Sequence, residues 1–326
     1  MSKPNIGFFV VGAARSGTTS LYAALGMHPD VYCPEFKEPR FFRGNQDKGW
    51  DWYASLYADA TEGQILGDFS PNYMDFDRGN PVAEKIAEHY PDARIVYIVR
   101  NPISCAISNW QMGCDVFEEI IPFEEAYTGR MRGSVLLRSK FALQYKLLKR
   151  VIPKKQILVL PLEGLATTPG PYLRALQRHL GVQRHPIKYR HRNATKWKPT
   201  RPPAPVLSLE ERTRFVDLVR QDAQEILAVM GLEPDFWDVS ATSAAWKQPK
   251  KGAQKPAPKA ESAATPAQIP VEDVPVKASV DSASTGTEGQ DSAQDNTQAV
   301  VPSEAQPDSL PETLIEASAK SKPDQV

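Results

Sequence analysis

Short, near-continuous apolar runs alternate along the chain with segments whose apolar residues recur every three or four positions. Phe8 to Val11 (FFVV) is the first run. Val31 to Cys33, Gln64 to Gly67, Ala93 to Val99 and Gln156 to Leu160 follow. A strand covered on both faces must be apolar on both, and ARIVYIV at 93–99 has that character most strongly. Helical spacing predicts helices from Thr18, with Leu21, Ala24 and Leu25 on one face, and over Pro81 to His89. Further helices are expected from Pro102, over Ser139 to Val151, over Tyr172 to Leu180 and over Leu209 to Met230. Asn101 has the N-cap chemistry to start the helix that Pro102 opens. Ser208 and Glu211 have the spacing of a capping box. Strands alternating with helices predict an α/β fold with a P-loop-like, mainly parallel sheet flanked by helices.

This pattern stops near Val239. The remainder is rich in Ala, Pro, Ser, Gln, Asp and Glu and has no aromatic residue after Trp246. Such a segment cannot bury enough apolar surface to offset an ordering cost of about 1–2 kcal/mol per residue. The division expected is therefore a folded domain over 1–239 and a disordered acidic tail over 240–326. Within the tail, only Leu310, Leu314 and Ile315 offer an apolar set for a weak docking helix, and no stable structure is the stronger expectation.

Charge refines the picture. The 326 residues carry 39 Lys+Arg and 39 Asp+Glu. From Lys247 onward there are 8 Lys, no Arg and 12 Asp+Glu, so the tail is −4 and the rest of the chain +4. A mildly basic body suits an anionic ligand but lacks the basic footprint of a nucleic-acid binder. Three cysteines (Cys33, Cys105, Cys114) without a CxxC pair or a histidine cluster point to a reducing compartment and to neither disulfides nor a metal site. No apolar run is long enough for export or for a membrane span, so a cytoplasmic protein is expected.

The chemistry concentrates in two places. Gly12-Ala13-Ala14-Arg15-Ser16-Gly17-Thr18-Thr19 lies between the first strand and the first helix, where backbone N–H groups can cradle a phosphate. A nucleoside triphosphatase loop would carry Lys at the position of Thr18. Here the cation, Arg15, sits inside the turn, and Ser16, Thr18, Thr19 and Ser20 add hydroxyls. The loop suits a phosphate or phosphosulfate, not ATP hydrolysis; the plain alternative is a strand–loop–helix turn whose glycines serve only the backbone. The second place is Arg100, at the end of the strongest strand, followed eight residues later by Ser108. An arginine fork and a hydroxyl held there can grip one phosphate. Separately, each would be read as a surface residue.

GAARSGTTSLYAAL resembles the 5′-phosphosulfate loop of sulfotransferases that use 3′-phosphoadenosine 5′-phosphosulfate (PAPS). Arg100 and Ser108 match the two ligand positions of that family's 3′-phosphate motif. Lys37-Glu38-Pro39-Arg40-Phe41-Phe42 resembles the stretch that carries the catalytic base in heparan-type members, with Glu38 at the position of the base. The plain alternative for Glu38 is a surface charge paired with Lys37 or Arg40. Trp50, Trp52 and Tyr53 offer an apolar wall for a sugar, or core packing. Arg190 to Lys198 resembles the basic loop that covers the 3′-phosphate, with Lys196 and Lys198 as candidate ligands and Trp197 as a stacking partner for adenine. Two departures stand out. Arg15 replaces a common lysine, which keeps the charge but not an easily donated proton. Phe69, in Gly67-Asp68-Phe69-Ser70-Pro71, stands where heparan-type members have lysine near the acceptor.

The resemblance covers residues 5 to about 238. It implies sulfuryl transfer from PAPS, without a metal, to a hydroxyl (less readily an amine) of a carbohydrate, lipid or small-molecule acceptor. Glu38 would be the general base and Arg15 the charge stabiliser, with Asp68 the next carboxylate to consider. The alternatives are a P-loop small-molecule or nucleotide kinase and a non-catalytic nucleotide-binding protein.

Overall fold

In the computed structural model, which describes residues 3–74, 81–190 and 202–247, the five apolar runs become five parallel strands of one sheet. They are β1 (Ile6–Gly12), β2 (Val31–Tyr32), β3 (Ile65–Asp68), β4 (Arg94–Val99) and β5 (Ile157–Pro161), in the order β2-β3-β1-β4-β5. Each neighbour pair is parallel, with Phe9 opposite both Asp68 and Ile95, and Val96 opposite Leu158. From β1 the chain runs to the edge strand β2, returns to β3 beside β1, and then crosses to β4 and β5 on the other side. The crevice beside the C-terminal end of β1 is thus a topological switch point, where open α/β sheets bind ligands.

Alternation along the strands divides the core between two faces. Phe8 and Val10 pack with Val96, Ile98, Leu158 and Leu160 against Leu21 and Leu25 of α1 (Thr18–Leu25) and Leu173 and Leu176 of α9 (Pro169–Leu180). Phe9 and Val11 point the other way, into a cluster with Ile95, Tyr97, Phe41, Tyr53 and Phe141. Each fully buried side chain of this size contributes roughly 1.5–3 kcal/mol. Phe69 belongs to the first face. It is fully buried, edge-on to Phe8 (5.7 Å) and Tyr22 (5.3 Å), so the phenylalanine noted above as a departure occupies a core position.

The expected helices form, with some shifted limits. The helix at Pro81–His89 (α3) has the expected limits, Asn101 caps α4 (Pro102–Phe117), and the Ser208–Glu211 capping box opens α10 (Leu209–Val229). The helix expected from Ser139 begins later, as α7 (Phe141–Leu148). Its start is set from outside: Asp222 on α10 accepts from the N–H groups of Ala142 (3.0 Å) and Leu143 (2.8 Å). Short helices α2 (Gly49–Ser55), α5 (Phe123–Thr128), α6 (Arg132–Val135) and α8 (Leu162–Thr167) carry too few turns for a periodicity to show in the sequence.

The folded body runs past Val239. Trp246 is buried against Phe123 (6.0 Å) and Phe215 (5.9 Å), and its indole donates to Ser240 O (3.0 Å). Residues 240–247, expected in the tail, therefore pack on the domain. Residues 248–326 lie outside the described residues, including the candidate docking helix. Among the described residues no helix is long and apolar enough to cross a membrane, and all three cysteines are free.

Candidate functional site

The chain leaves β1 at Gly12 and turns through Ala13 and Ala14. Ala13 N–H donates to Ile98 O (2.6 Å), which ties the turn to β4, and Ser16 N–H donates to Ala13 O (3.1 Å). Arg15 (φ 67°) and Gly17 (φ 82°) are left-handed. Glycine is required at the second, since a Cβ there would stand 2.5 Å from Leu162 Cδ1 on α8. Gly17 caps α1 through its carbonyl alone, accepting from Ser20 (2.9 Å) and Leu21 (3.2 Å). Thr18 and Thr19 N–H have no carbonyl to donate to within the helix, and the positive end of its dipole adds to them. Ser16 Oγ is fully buried and has no hydrogen-bond partner. A phosphate oxygen here would meet helix N–H groups, a buried hydroxyl and a guanidinium, so the turn fits an anion.

The second motif converges on the same turn. Arg100 Nη1 donates to Arg15 O (2.9 Å), and Arg15 Nε donates to Ser108 Oγ (3.0 Å) on α4. Arg100 Nε is buried without a partner. Residues far apart in sequence (15, 100 and 108) thus form one half-buried group, with two orphaned donors (Ser16 Oγ and Arg100 Nε) that an anionic ligand would satisfy. Beneath it lies the fully buried Cys105 thiol. Burial pushes it up, while Arg100, a hydrogen bond from Ser139, Arg138 and Arg15 pull the other way. Arg138 is therefore a third guanidinium in this neighbourhood, with no motif in the sequence to announce it.

The turn carrying Arg100 is braced by residues that sequence reasoning also missed. Glu163 on α8 accepts from Asn101 N–H at Oε1 (3.1 Å) and from the Trp237 indole at Oε2 (3.0 Å). The Asn101 side chain caps α4 through Ile103 and Ser104 N–H and donates to Asp238 O (3.2 Å). A half-buried carboxylate–indole pair has no sequence spacing to reveal it.

Glu38 lies in the loop after β2. Its Oε1 accepts from Lys37 Nζ (2.9 Å) and its Oε2 from Arg40 Nη2 (2.5 Å) and Nε (3.2 Å). Burial alone would raise this carboxyl, but the hydrogen bonds from Arg40 and Lys37 and their charges outweigh it and hold it below the ordinary glutamate range. Its side chain keeps 28% of its exposure, so an incoming group can reach it. Asp68 is different: it is fully buried, and burial raises it to about 6 against the hydrogen bonds of Ser70, Tyr53 and Tyr73. It cannot meet an acceptor directly.

Of the aromatic wall, Tyr53 belongs to the core, stacked on Phe41 (4.4 Å, 5°) with its hydroxyl on Asp68 (2.7 Å). Trp50 packs on Phe41 (4.6 Å) and His89 (5.1 Å), and Trp52 sits under Lys48 (4.6 Å). Lys196, Trp197 and Lys198 lie outside the described residues.

Comparison with known proteins bears on the family and the fold. The chain is 31% identical over 183 residues to heparan sulfate glucosamine 3-O-sulfotransferase 3A1 of Mus musculus, covering 54% of this chain and 45% of that protein. It is 30% identical over 193 residues to bifunctional heparan sulfate N-deacetylase/N-sulfotransferase 1 of Mus musculus, covering 53% of this chain and 22% of the relative. The chain thus spans less than half the length of these curated relatives. Among solved structures, a sulfotransferase from Alicyclobacillus acidocaldarius shares the fold, with a TM-score of 0.55 at 24% identity over 72% of this chain and 98% of the other. Residues 6–201 match the sulfotransferase domain family, and the chain belongs to that family.

Proposed function

We propose that this protein transfers a sulfuryl group from PAPS to a hydroxyl of a carbohydrate, lipid or small-molecule acceptor, with Glu38 as general base. The observation that carries the reading is the convergence of Arg15, Arg100 and Ser108 on a glycine-capped helix start, with Ser16 Oγ and Arg100 Nε buried and unpartnered. Donors gather at two points of this connected group, at the α1 N-terminus with Ser16 and at Arg100 with Ser108, which suits a ligand carrying two anionic groups. A kinase would want a lysine at Thr18, and none stands there.

PAPS would supply the activated sulfuryl group and leave as the bisphosphate. The chain's own part is positioning and charge, as in phosphoryl transfer. Thr18 and Thr19 N–H, Ser16 and Arg15 would hold the 5′-phosphate side, and Arg100 and Ser108 would hold the 3′-phosphate. Arg15 would steady the negative charge that gathers on the leaving phosphate, a task a guanidinium can do without giving up a proton. Glu38 takes the proton of the acceptor hydroxyl as that oxygen bonds to sulfur. Because its partners hold Glu38 low, it stays ionised down to mildly acid pH. The mouse relatives are named for heparan sulfate, which favours a carbohydrate acceptor, but the buried Phe69 gives that acceptor no cation. Three free thiols fit a reducing, cytoplasmic setting.

The test is release of adenosine 3′,5′-bisphosphate from PAPS across a panel of hydroxyl acceptors. Glu38→Gln should lower turnover by ~10²–10⁴-fold with PAPS affinity near wild type. If Glu38 only forms surface ion pairs, turnover moves by less than about tenfold. Thermal stabilisation by ATP–Mg²⁺ but not by the bisphosphate would sink the cofactor assignment.

A further inference from the structure

The loop that carries Glu38 is held from beneath by one carboxylate. Asp68, the last residue of β3, is 0% exposed and accepts three hydroxyl hydrogens: Ser70 Oγ at Oδ1 (2.6 Å), and Tyr53 (2.7 Å) and Tyr73 (3.1 Å) at Oδ2. A hydroxyl has a single hydrogen. With that hydrogen committed to Asp68, the oxygens of Ser70 and Tyr73 present their lone pairs to the loop. Ser70 Oγ accepts from Arg40 N–H (2.9 Å), and Tyr73 Oη accepts from Phe42 N–H (3.3 Å). The first of these bonds falls on the strained residue: Arg40 is left-handed (φ 50°), which arginine seldom adopts. Its guanidinium, aimed by that backbone, grips Glu38 Oε2.

We propose that Asp68 is a positioning residue whose carboxylate, acting through the hydroxyls of Ser70 and Tyr73, holds the Lys37 to Phe42 loop in the conformation that presents Glu38. The role of Glu38 as base is the reading given above; the tether of its loop can be tested apart from it. Three hydroxyl hydrogens converge on two atoms that must both accept. A protonated or amidated Asp68 has a hydrogen of its own to place, so at least one hydroxyl must turn away. A Ser70 or Tyr73 hydrogen turned toward the loop meets an N–H head-on.

The charged and titratable groups facing Asp68 are Tyr53 and Tyr57 from the α2 segment, Tyr73, Tyr90 and Glu38. Burial pushes all four tyrosines up, so they stay neutral, and Glu38 stays ionised. Asp68, at about 6, is the member that changes between pH 5 and 7.

Hydrogen exchange of the full chain, read on peptides spanning residues 37–43, tests the tether. Ser70→Ala and Asp68→Asn should each speed exchange there by about tenfold or more, the scale of a lost hydrogen bond, with β1 and β4 peptides unchanged. In the wild type, loop protection corrected for intrinsic rates should fall as pH drops through about 6, and Asp68→Asn should abolish that dependence. Should Asp68→Asn fail to fold, Ser70→Ala still decides, because it leaves Asp68 with both tyrosines. Ser70→Ala should also lower kcat while leaving KM for PAPS near wild type, and add nothing in a Glu38→Gln background. Unchanged loop exchange in Ser70→Ala would overturn the proposal. Faster loop exchange with full turnover in Glu38→Gln would support the tether and overturn the base.

Discussion

Replacing Arg100 with alanine tests the ligand-binding half of the site. Among the described residues this guanidinium donates from Nη1 to Arg15 O (2.9 Å), while Nε is buried and unpartnered. If Nε and the rest of the fork serve a 3′-phosphate, Arg100→Ala forfeits a charged hydrogen-bond pair. That is worth about 2–3 kcal/mol, or roughly 30- to 150-fold in Kd for adenosine 3′,5′-bisphosphate. The same change also removes the brace on the Arg15 carbonyl, a single bond of about 1 kcal/mol that bears on the 5′-phosphate turn. Adenosine 5′-monophosphate, which lacks the 3′-phosphate, should therefore lose less than about tenfold. Isothermal calorimetry with both ligands reads the difference. Equal losses for the two would show that Arg100 acts only by shaping the turn, and a bisphosphate Kd within about twofold of wild type would refute its role altogether. Arg100→Lys keeps the charge without the fork and should fall between wild type and alanine.

Three further outcomes follow from the packing. Gly17→Ala should weaken bisphosphate binding and lower the melting temperature, because the residue is left-handed and its Cβ would stand 2.5 Å from Leu162 Cδ1; a variant with wild-type affinity would refute the tight approach of α8 to the turn. Truncation after Val239 removes Trp246 and should cost about 3–5 kcal/mol of stability, whereas truncation after Lys247 should leave melting unchanged; calorimetry of the two truncations separates them. Burial raises Asp222 to about 6 against an ordinary 3.8, so between these values the folded state holds a proton that the unfolded chain has released. This contribution to stability is present at low pH and is lost as pH rises through about 4 to 6, on the order of 3 kcal/mol in all. Buried His179, lowered to about 4, acts in the opposite sense, so the quantity to measure is the difference between wild type and Asp222→Asn. Wild type should lose stability relative to the variant over that window, and a flat difference would count against the assignment.

Much of this protein is written in local pattern. β1, β4 and β5 are near-continuously apolar because each is covered on both faces, and such runs are visible in the sequence whatever the rest of the chain does. The α4 and α10 starts are visible for a similar reason: Asn101 and Ser208 satisfy N–H groups two or three residues away, which is a matter of spacing alone. The place of the glycine turn after β1 and of Arg100 after β4 was legible because apolar runs mark where strands end.

What tertiary structure decided is everything that depends on residues distant in sequence. The start of α7 is placed by Asp222, 80 residues away from Ala142, so no local signal marks it. Trp246 joins the core only because Phe123 and Phe215 are there to receive it. Tyr53 fits a sugar wall or core packing by sequence, and only its neighbours decide for the core; Phe69, which sequence marks only as a departure, is also a core residue. The same holds for the group formed by Arg15, Arg100 and Ser108, and for the three hydroxyls that meet on Asp68. Residue type and spacing encode what a side chain can do, but the partner that makes it do so is brought by chain crossings that composition and periodicity do not record.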